Sequence, residues 1–293
     1  MQVTLHSNGY QVILNSLGAE LKSFKDPSAK EFVWNSDPTY WMRSSPLLFP
    51  TIGNVRNNET IIRGNRCEMP KHGFCKDTEF EVTAQNTNSV TFHLAADEST
   101  LTHYPFRFDL YLTYLLEENQ LSMTYQVYNR DTDIMPYHIG AHPGFMCPLG
   151  VQESLSDYVL KFEKEECLES CPYDLERLCF CSDKKISHGE NSQFLPLSIA
   201  MFDNDAVLFP HTASHAVSLV NPSTGKGVRM DYPDFKSIAF WTPAGGKAPF
   251  LCLEPWNGAA IFDDEDDEFC HKRDIETLEP GTSRNYHLTI SLL

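Results

Sequence analysis

Three stretches of the 293-residue chain carry side chains able to hold or move a proton. The first, "MPYHIGAHPGF" over 135–145, contains His138 and His142. On a helix this spacing would set both rings on one face for a metal, as in the H-E-x-x-H pattern of metalloproteases. Gly140, Pro143 and Gly144 oppose a helix, and the intervening Glu is missing. On an extended segment the even spacing still puts both rings on one face. A metal-binding pair, two buried core histidines, or one proton-transferring histidine with an incidental neighbour all fit these residues.

The second stretch, "MPKHGFCKD" over 69–77, sets His72 before Gly73 in a turn-like setting. A lone histidine often serves only structure, but loop histidines beside glycine are where function concentrates. The third, "LCLEPWNG" over 251–258, embeds Glu254 in apolar company. A carboxylate there is costly unless paired or protonated, so its pKa is expected to rise toward a value suited to a general base. A hydrogen-bonded structural glutamate fits the same residues.

Arg56 in "FPTIGNVRNN" and Asp205 in "FDNDAVLF" stand near apolar strand ends, with Asp203 two residues from the latter. Taken alone, each reads as a surface residue. Trp34, Trp41, Trp241 and Trp256 lie near loops or strand ends. Indole rings beside polar groups suit sugars, whose C–H faces stack on them while hydroxyls take hydrogen bonds. Core packing is expected for two or three of the four.

The elements that must position these residues read as strands. In "FRFDLYLTY", Phe106, Phe108, Leu110, Leu112 and Tyr114 alternate with Arg107, Asp109, Tyr111 and Thr113, the period of a half-buried strand. The turn "EENQ" and the alternating Leu121, Met123, Tyr125 and Val127 complete a hairpin. "FEVTAQ" with "SVTFHLA", and "AVSLVN" with "GVRMDY", form two more, and "NYHLTISLL" closes the chain as a strand. The best helical candidate, "PLSIAMF", is short. These patterns predict an all-β protein, a large antiparallel sandwich or barrel.

Composition bounds the partners. Hydrophobic content of 41% supports a large core, and a net charge of −17 repels nucleic acid and anionic membrane surfaces. "MQVTLHSNGYQVILN" lacks the pattern of a signal peptide, and no stretch of about 18 apolar residues occurs, so a cytoplasmic location is expected. Nine cysteines without an export signal read as reduced thiols. The spacing of Cys167, Cys171, Cys179 and Cys181 matches no usual zinc pattern, and the acidic run "DDEDDE" at 263–268 lacks the EF-hand order. No metal site is expected.

"LFPTIGNVRNN", "KHGF", "HPGF", "FDNDAVLF", "CLEPWNG" and "LEPGTSRNYHLTI", in this order nearly end to end, resemble the aldose 1-epimerase (galactose mutarotase) family, and within it the LacX-like branch. The resemblance implies one domain over 1–293, a large antiparallel β-supersandwich with few short helices. It further implies an isomerase that interconverts the α and β anomers of an aldose without a cofactor. His142 then corresponds to the general acid, Glu254 to the base, and His72 to the catalytic-site histidine that contacts sugar. Arg56 and Asp205 (or Asp203) correspond to sugar-binding residues, with Trp256 and His138 expected to line the site.

A raised-pKa glutamate and a partly protonated histidine on opposite sides of the ring would supply the proton transfers of ring opening and closure. "HGFC" and "HPGFMC" depart from the longer motifs of the classical branch, so the substrate stays open. A hexose 6-phosphate 1-epimerase, whose phosphate would be held by two or more of Arg43, Arg56, Lys71 and Lys76, and a catalytically silent sugar-binding or sensing protein are the alternatives. The expected partner is a small aldose, with the chain a monomer or homodimer and with no nucleic acid or membrane involved.

Overall fold

A computed structural model describes all residues 1–293. The alternation in "FRFDLYLTY" becomes the strand Phe108–Glu117, in which buried and half-buried residues alternate almost to its end. It pairs antiparallel with Gln120–Asn129, the turn carrying Glu118 at φ 52°. Glu81–Gln85 with Ser89–Ala95, and Ala216–Val220 with Gly227–Asp231, form the other two expected hairpins.

These strands, with Ser192–Pro196, Val159–Glu166 and Ser283–Leu292, make one nine-stranded sheet. A six-stranded sheet contains Val207–Phe209, Ser237–Trp241, Phe250–Asn257, Ile139–Ala141 and Leu47–Leu48, with Gly144–Met146 also paired to Phe250–Asn257. Phe162 of the large sheet meets Phe209 and Phe240 of the smaller one, and Phe49 meets Phe108 at 5.1 Å between ring centroids. The two sheets therefore share one core, a cluster of 63 buried residues. The fold is the antiparallel β-sandwich expected from the alternation.

Helical structure is minor. "PLSIAMF" yields only the 3-10 turn Ile199–Phe202. The α-helix Glu98–His103 has no counterpart among the expectations: Asp97 caps the amide of Thr100, and the Thr100 hydroxyl accepts from the Asp97 amide. At six residues it is too short for a 3.6-residue period to show.

Phe250–Asn257 is the strand that matters most for chemistry. It is buried along its whole length. Leu251 and Leu253 enter the main core, which turns Cys252, Glu254 and Trp256 to the opposite face. Gly140 pairs with Trp256 and Gly144 with Cys252. His142, midway between those two contacts, is thereby set against Glu254.

Candidate active site

Glu254, His142, His72, Asp205 and Trp256 all line one cavity of about 350 Å³. His142 Nε2 lies 3.2 Å from Glu254 Oε2. The two groups stand side by side, not on opposite sides of a sugar ring as expected, because register alone makes them neighbours. The Trp41 indole stacks on the His142 imidazole with centroids 4.9 Å apart, and Trp241 meets it edge-on at 5.8 Å. Those contacts hold the ring in place.

Burial governs the charges of this pair. Loss of water pushes the Glu254 carboxyl well above its ordinary range; Asp205 adds to the rise and Lys71 opposes it. The same desolvation lowers the His142 imidazole to about 3. His142 is therefore neutral near pH 7, in place of the partly protonated ring expected, because an imidazolium there would be stripped of water. Burial therefore favours the uncharged form of both groups. Glu254 Oε1 and His142 Nδ1 have no hydrogen-bond partner within the protein.

His72 is fixed by a reciprocal contact. Its amide donates to the Gly53 carbonyl at 2.7 Å, and its Nδ1 accepts from the Gly53 amide at 3.0 Å. An accepting Nδ1 leaves the neutral ring's proton on Nε2, ready to donate. Burial first, then His142 and Lys71, keep this ring's pKa well below the usual histidine value. The turn demands the left-handed region at His72 (φ 66°) and at Gly73 (φ 71°). A Cβ on Gly73 would sit 2.0 Å from the Phe49 carbonyl oxygen, so only glycine fits.

Asp205, not the exposed Asp203, reaches the cavity. It also takes a positive φ (74°), and its Oδ1 accepts from the Ala206 amide at 2.8 Å. Three tryptophans, Trp41, Trp241 and Trp256, line the cavity. Trp34, stacked on Phe250 at 4.5 Å, and Trp256, in a buried cluster with Leu48, Ile52 and Ala239, are both core-packed. Core packing thus claims two of the four indoles, within the two or three expected.

Two expected site residues lie elsewhere. Arg56 is absent from the cavity wall: its Nε donates to Asp267 at 3.1 Å and its guanidinium to the Glu265 carbonyl. The turn Arg56–Asn58, with Asn57 at φ 54°, and the acidic run 263–268 together take this side chain away. His138 also misses the cavity. It sits between Met135–Tyr137 and Ile139–Ala141, fully buried, with Nε2 3.1 Å from the Arg273 carbonyl. Gly258 packs so tightly that a Cβ there would come within 2.3 Å of its ring.

Sequence reasoning missed several lining residues. Asn54 accepts from the Tyr173 hydroxyl at 2.9 Å and donates to the Leu178 carbonyl at 2.6 Å, tying the segment 173–180 to the cavity wall. Its position two residues before Arg56 was the available signal; Tyr173 and Phe180 offered none. Of the four basic residues expected as candidates for a phosphate pocket, Arg43, Lys71 and Lys76 do line this cavity, and Arg56 does not. Arg43 and Lys76 both pair with Asp77, while Lys71 is exposed.

Cys171 Sγ accepts from Lys185, and Cys167 is exposed. No helix is long and apolar enough to cross a membrane.

Known proteins share this arrangement of the whole chain. Protein LacX (plasmid) of Lactococcus lactis subsp. lactis is 34% identical over 301 aligned residues, covering 99% of each chain; its chromosomal counterpart is 33% identical over the same coverage. A galactose mutarotase related enzyme from Lactobacillus acidophilus superposes with a TM-score of 0.92 at 26% identity, covering 100% of this chain and 97% of that one. A galactose mutarotase-like protein from Lactobacillus casei ATCC 334 gives 0.91 at 28% identity, with both chains covered in full. The family model described as aldose 1-epimerase matches residues 1–289, and the chain belongs to that family.

Proposed function

We propose that this protein is an aldose 1-epimerase that interconverts α and β anomers by opening and reclosing the sugar ring, with Glu254 and His142 making the proton transfers. The observation that carries this reading is the 3.2 Å approach of the two groups inside a cavity lined by indoles. The anomeric hydroxyl and the ring oxygen are bonded to the same carbon. Two side-by-side proton carriers therefore address both at once.

In this reading the pair carries one proton, held at rest by Glu254. Glu254 passes its proton to His142, leaving a carboxylate beside an imidazolium. The carboxylate takes the proton of the anomeric hydroxyl, the imidazolium delivers one to the ring oxygen, and the bond between C1 and that oxygen breaks. Rotation about C1–C2 and the reverse transfers close the ring on the other face. No net proton is consumed, and each proton transfer is within reach of general acid–base catalysis.

Other residues support binding in this reading. The Nε2–H of His72 donates to a sugar oxygen, Asp205 accepts from a hydroxyl, and Trp41, Trp241 and Trp256 cover the C–H faces. The cavity volume falls in the range of small-molecule sites, roughly 300–1,000 Å³. Polarimetry on freshly dissolved α-D-glucose and α-D-galactose tests the reading: faster decay of rotation than in buffer supports it.

A second reading rests on a separate observation. Three cations at one cavity suit a phosphorylated aldose, since phosphate is bound by converging Arg and Lys side chains. Acceleration confined to hexose 6-phosphates would favour it over a free aldose.

A further inference from the structure

The face of Phe250–Asn257 that carries Glu254 also carries Cys252, for which the reaction has no use. One ligand atom each from His142, Cys252 and Glu254 lie within 4.8 Å of one another, and all three residues are buried. We propose that this trio is a binding site for one thiophilic divalent ion, Zn²⁺ or Cd²⁺, and that its occupancy excludes the sugar.

The donor set decides the class of ion. Imidazole nitrogen, thiolate sulfur and carboxylate oxygen are the ligands of zinc, whereas Mg²⁺ and Ca²⁺ take oxygen. With metal–ligand lengths of about 2.0–2.3 Å, tetrahedral ligand atoms stand roughly 3.3–3.8 Å apart. Small side-chain rotations bring the trio to that spacing. Glu254 Oε1, deeply buried and without a partner, is an independent sign that the site lacks a ligand.

The surroundings fit such an ion. Trp41 stacked on His142, and Trp34 and Phe250 clustered with Cys252, restrain two of the three ligands. His142 and Glu254 also line the cavity, so water from it would complete a bound ion's shell. A net charge of −17 concentrates cations around the molecule. On binding, the thiol and the carboxyl release their protons to solvent. The ion then occupies the lone pairs that proton transfer needs, so metal and sugar compete.

Binding is read without sugar, so this inference fails or holds independently of the epimerase reading. Full-length protein stripped of metal is titrated with Zn²⁺ by calorimetry and with Co²⁺ by absorption. Wild type is expected to take up one ion per chain and to show a thiolate-to-cobalt charge-transfer band. Zn²⁺ affinity is expected to fall by roughly tenfold or more in Cys252→Ser and in Glu254→Gln, while the exposed-thiol variants Cys167→Ser and Cys270→Ser keep it. Circular dichroism establishes which variants are folded, and Glu254→Gln carries the test if Cys252→Ser is not. Absence of stoichiometric Zn²⁺ binding, or a charge-transfer band and affinity unchanged in both variants, would overturn the proposal.

Discussion

His142 Nε2 and Glu254 Oε2 stand 3.2 Å apart because the strands Ile139–Ala141 and Gly144–Met146 both pair with Phe250–Asn257 and leave His142 opposite Glu254. The close contact is thus a property of sheet register, which a one-residue slip would destroy. Its consequences are measurable.

Removing either member of the pair should abolish most of the turnover. Glu254→Gln and His142→Asn are each expected to lower kcat by about 10²–10⁴-fold, the usual contribution of a positioned acid or base. Sugar binding, followed by calorimetry, should persist, because the indoles, His72 and Asp205 remain. A variant with near wild-type kcat would remove that residue from the mechanism.

The pH profile separates this pair from an ordinary histidine acid. With His142 lowered to about 3 and Glu254 raised by burial, neither group is expected to titrate as a solvated imidazole does. Activity should not fall as pH drops from 7 to 5, where His142 stays neutral, and should decline as rising pH deprotonates Glu254. An acid limb centred near pH 6.5, the ordinary imidazole value, would show that His142 titrates like a solvated ring.

His138 should govern acid stability without governing chemistry. Burial lowers its folded pKa to about 3 against an ordinary 6.5. A depressed imidazole makes the unfolded state bind more protons, so stability present above pH 6.5 is lost as pH falls toward 3. Between pH 6.5 and 4 this amounts to about 3 kcal/mol at 1.36 kcal/mol per unit. Urea unfolding at the two pH values should show that much smaller a loss in His138→Gln, which keeps a donor for the Arg273 carbonyl. An equal loss in both proteins would contradict the assignment.

Gly73→Ala should damage the His72 turn. The new methyl would meet the Phe49 carbonyl oxygen at 2.0 Å at a φ of 71°. Backbone strain of about 1–3 kcal/mol or more is expected, read as a lowered melting temperature together with a raised KM. Unchanged values of both would mean that the turn relaxes without cost.

Lys71→Gln distinguishes the two substrate readings. Lys71 lines the cavity, is exposed and forms no ion pair, unlike Arg43 and Lys76, which share Asp77. If the substrate carries a phosphate, KM for hexose 6-phosphates should rise several-fold and become less sensitive to salt. If the substrate is a free aldose, KM should barely move.

Much of the fold was legible from alternation, since the strands around Phe108–Glu117 bury every second residue as written in their sequence. The apolar setting of Glu254 likewise announced its burial. What the sequence hid depends on distant partners. Arg56 sits beside the right motif, yet Asp267 and the Glu265 carbonyl claim its guanidinium. Asn54 gains its place from Tyr173 and Leu178, contributed by a segment far along the chain. His138 obeys the same even spacing as His142, but the strand interruption and the close packing of Gly258 bury it elsewhere.

The central claim is that Glu254 and His142 exchange protons with the anomeric centre of an aldose. Two-dimensional exchange NMR measures α-to-β interconversion at equilibrium, and a panel of free and 6-phosphorylated hexoses covers both substrate readings. Wild type should accelerate exchange for at least one member, and Glu254→Gln, folded and still binding that sugar, should return the rate to that of buffer. Exchange as fast in Glu254→Gln as in wild type would contradict the claim, as would a wild type that binds an aldose from the panel without accelerating its exchange.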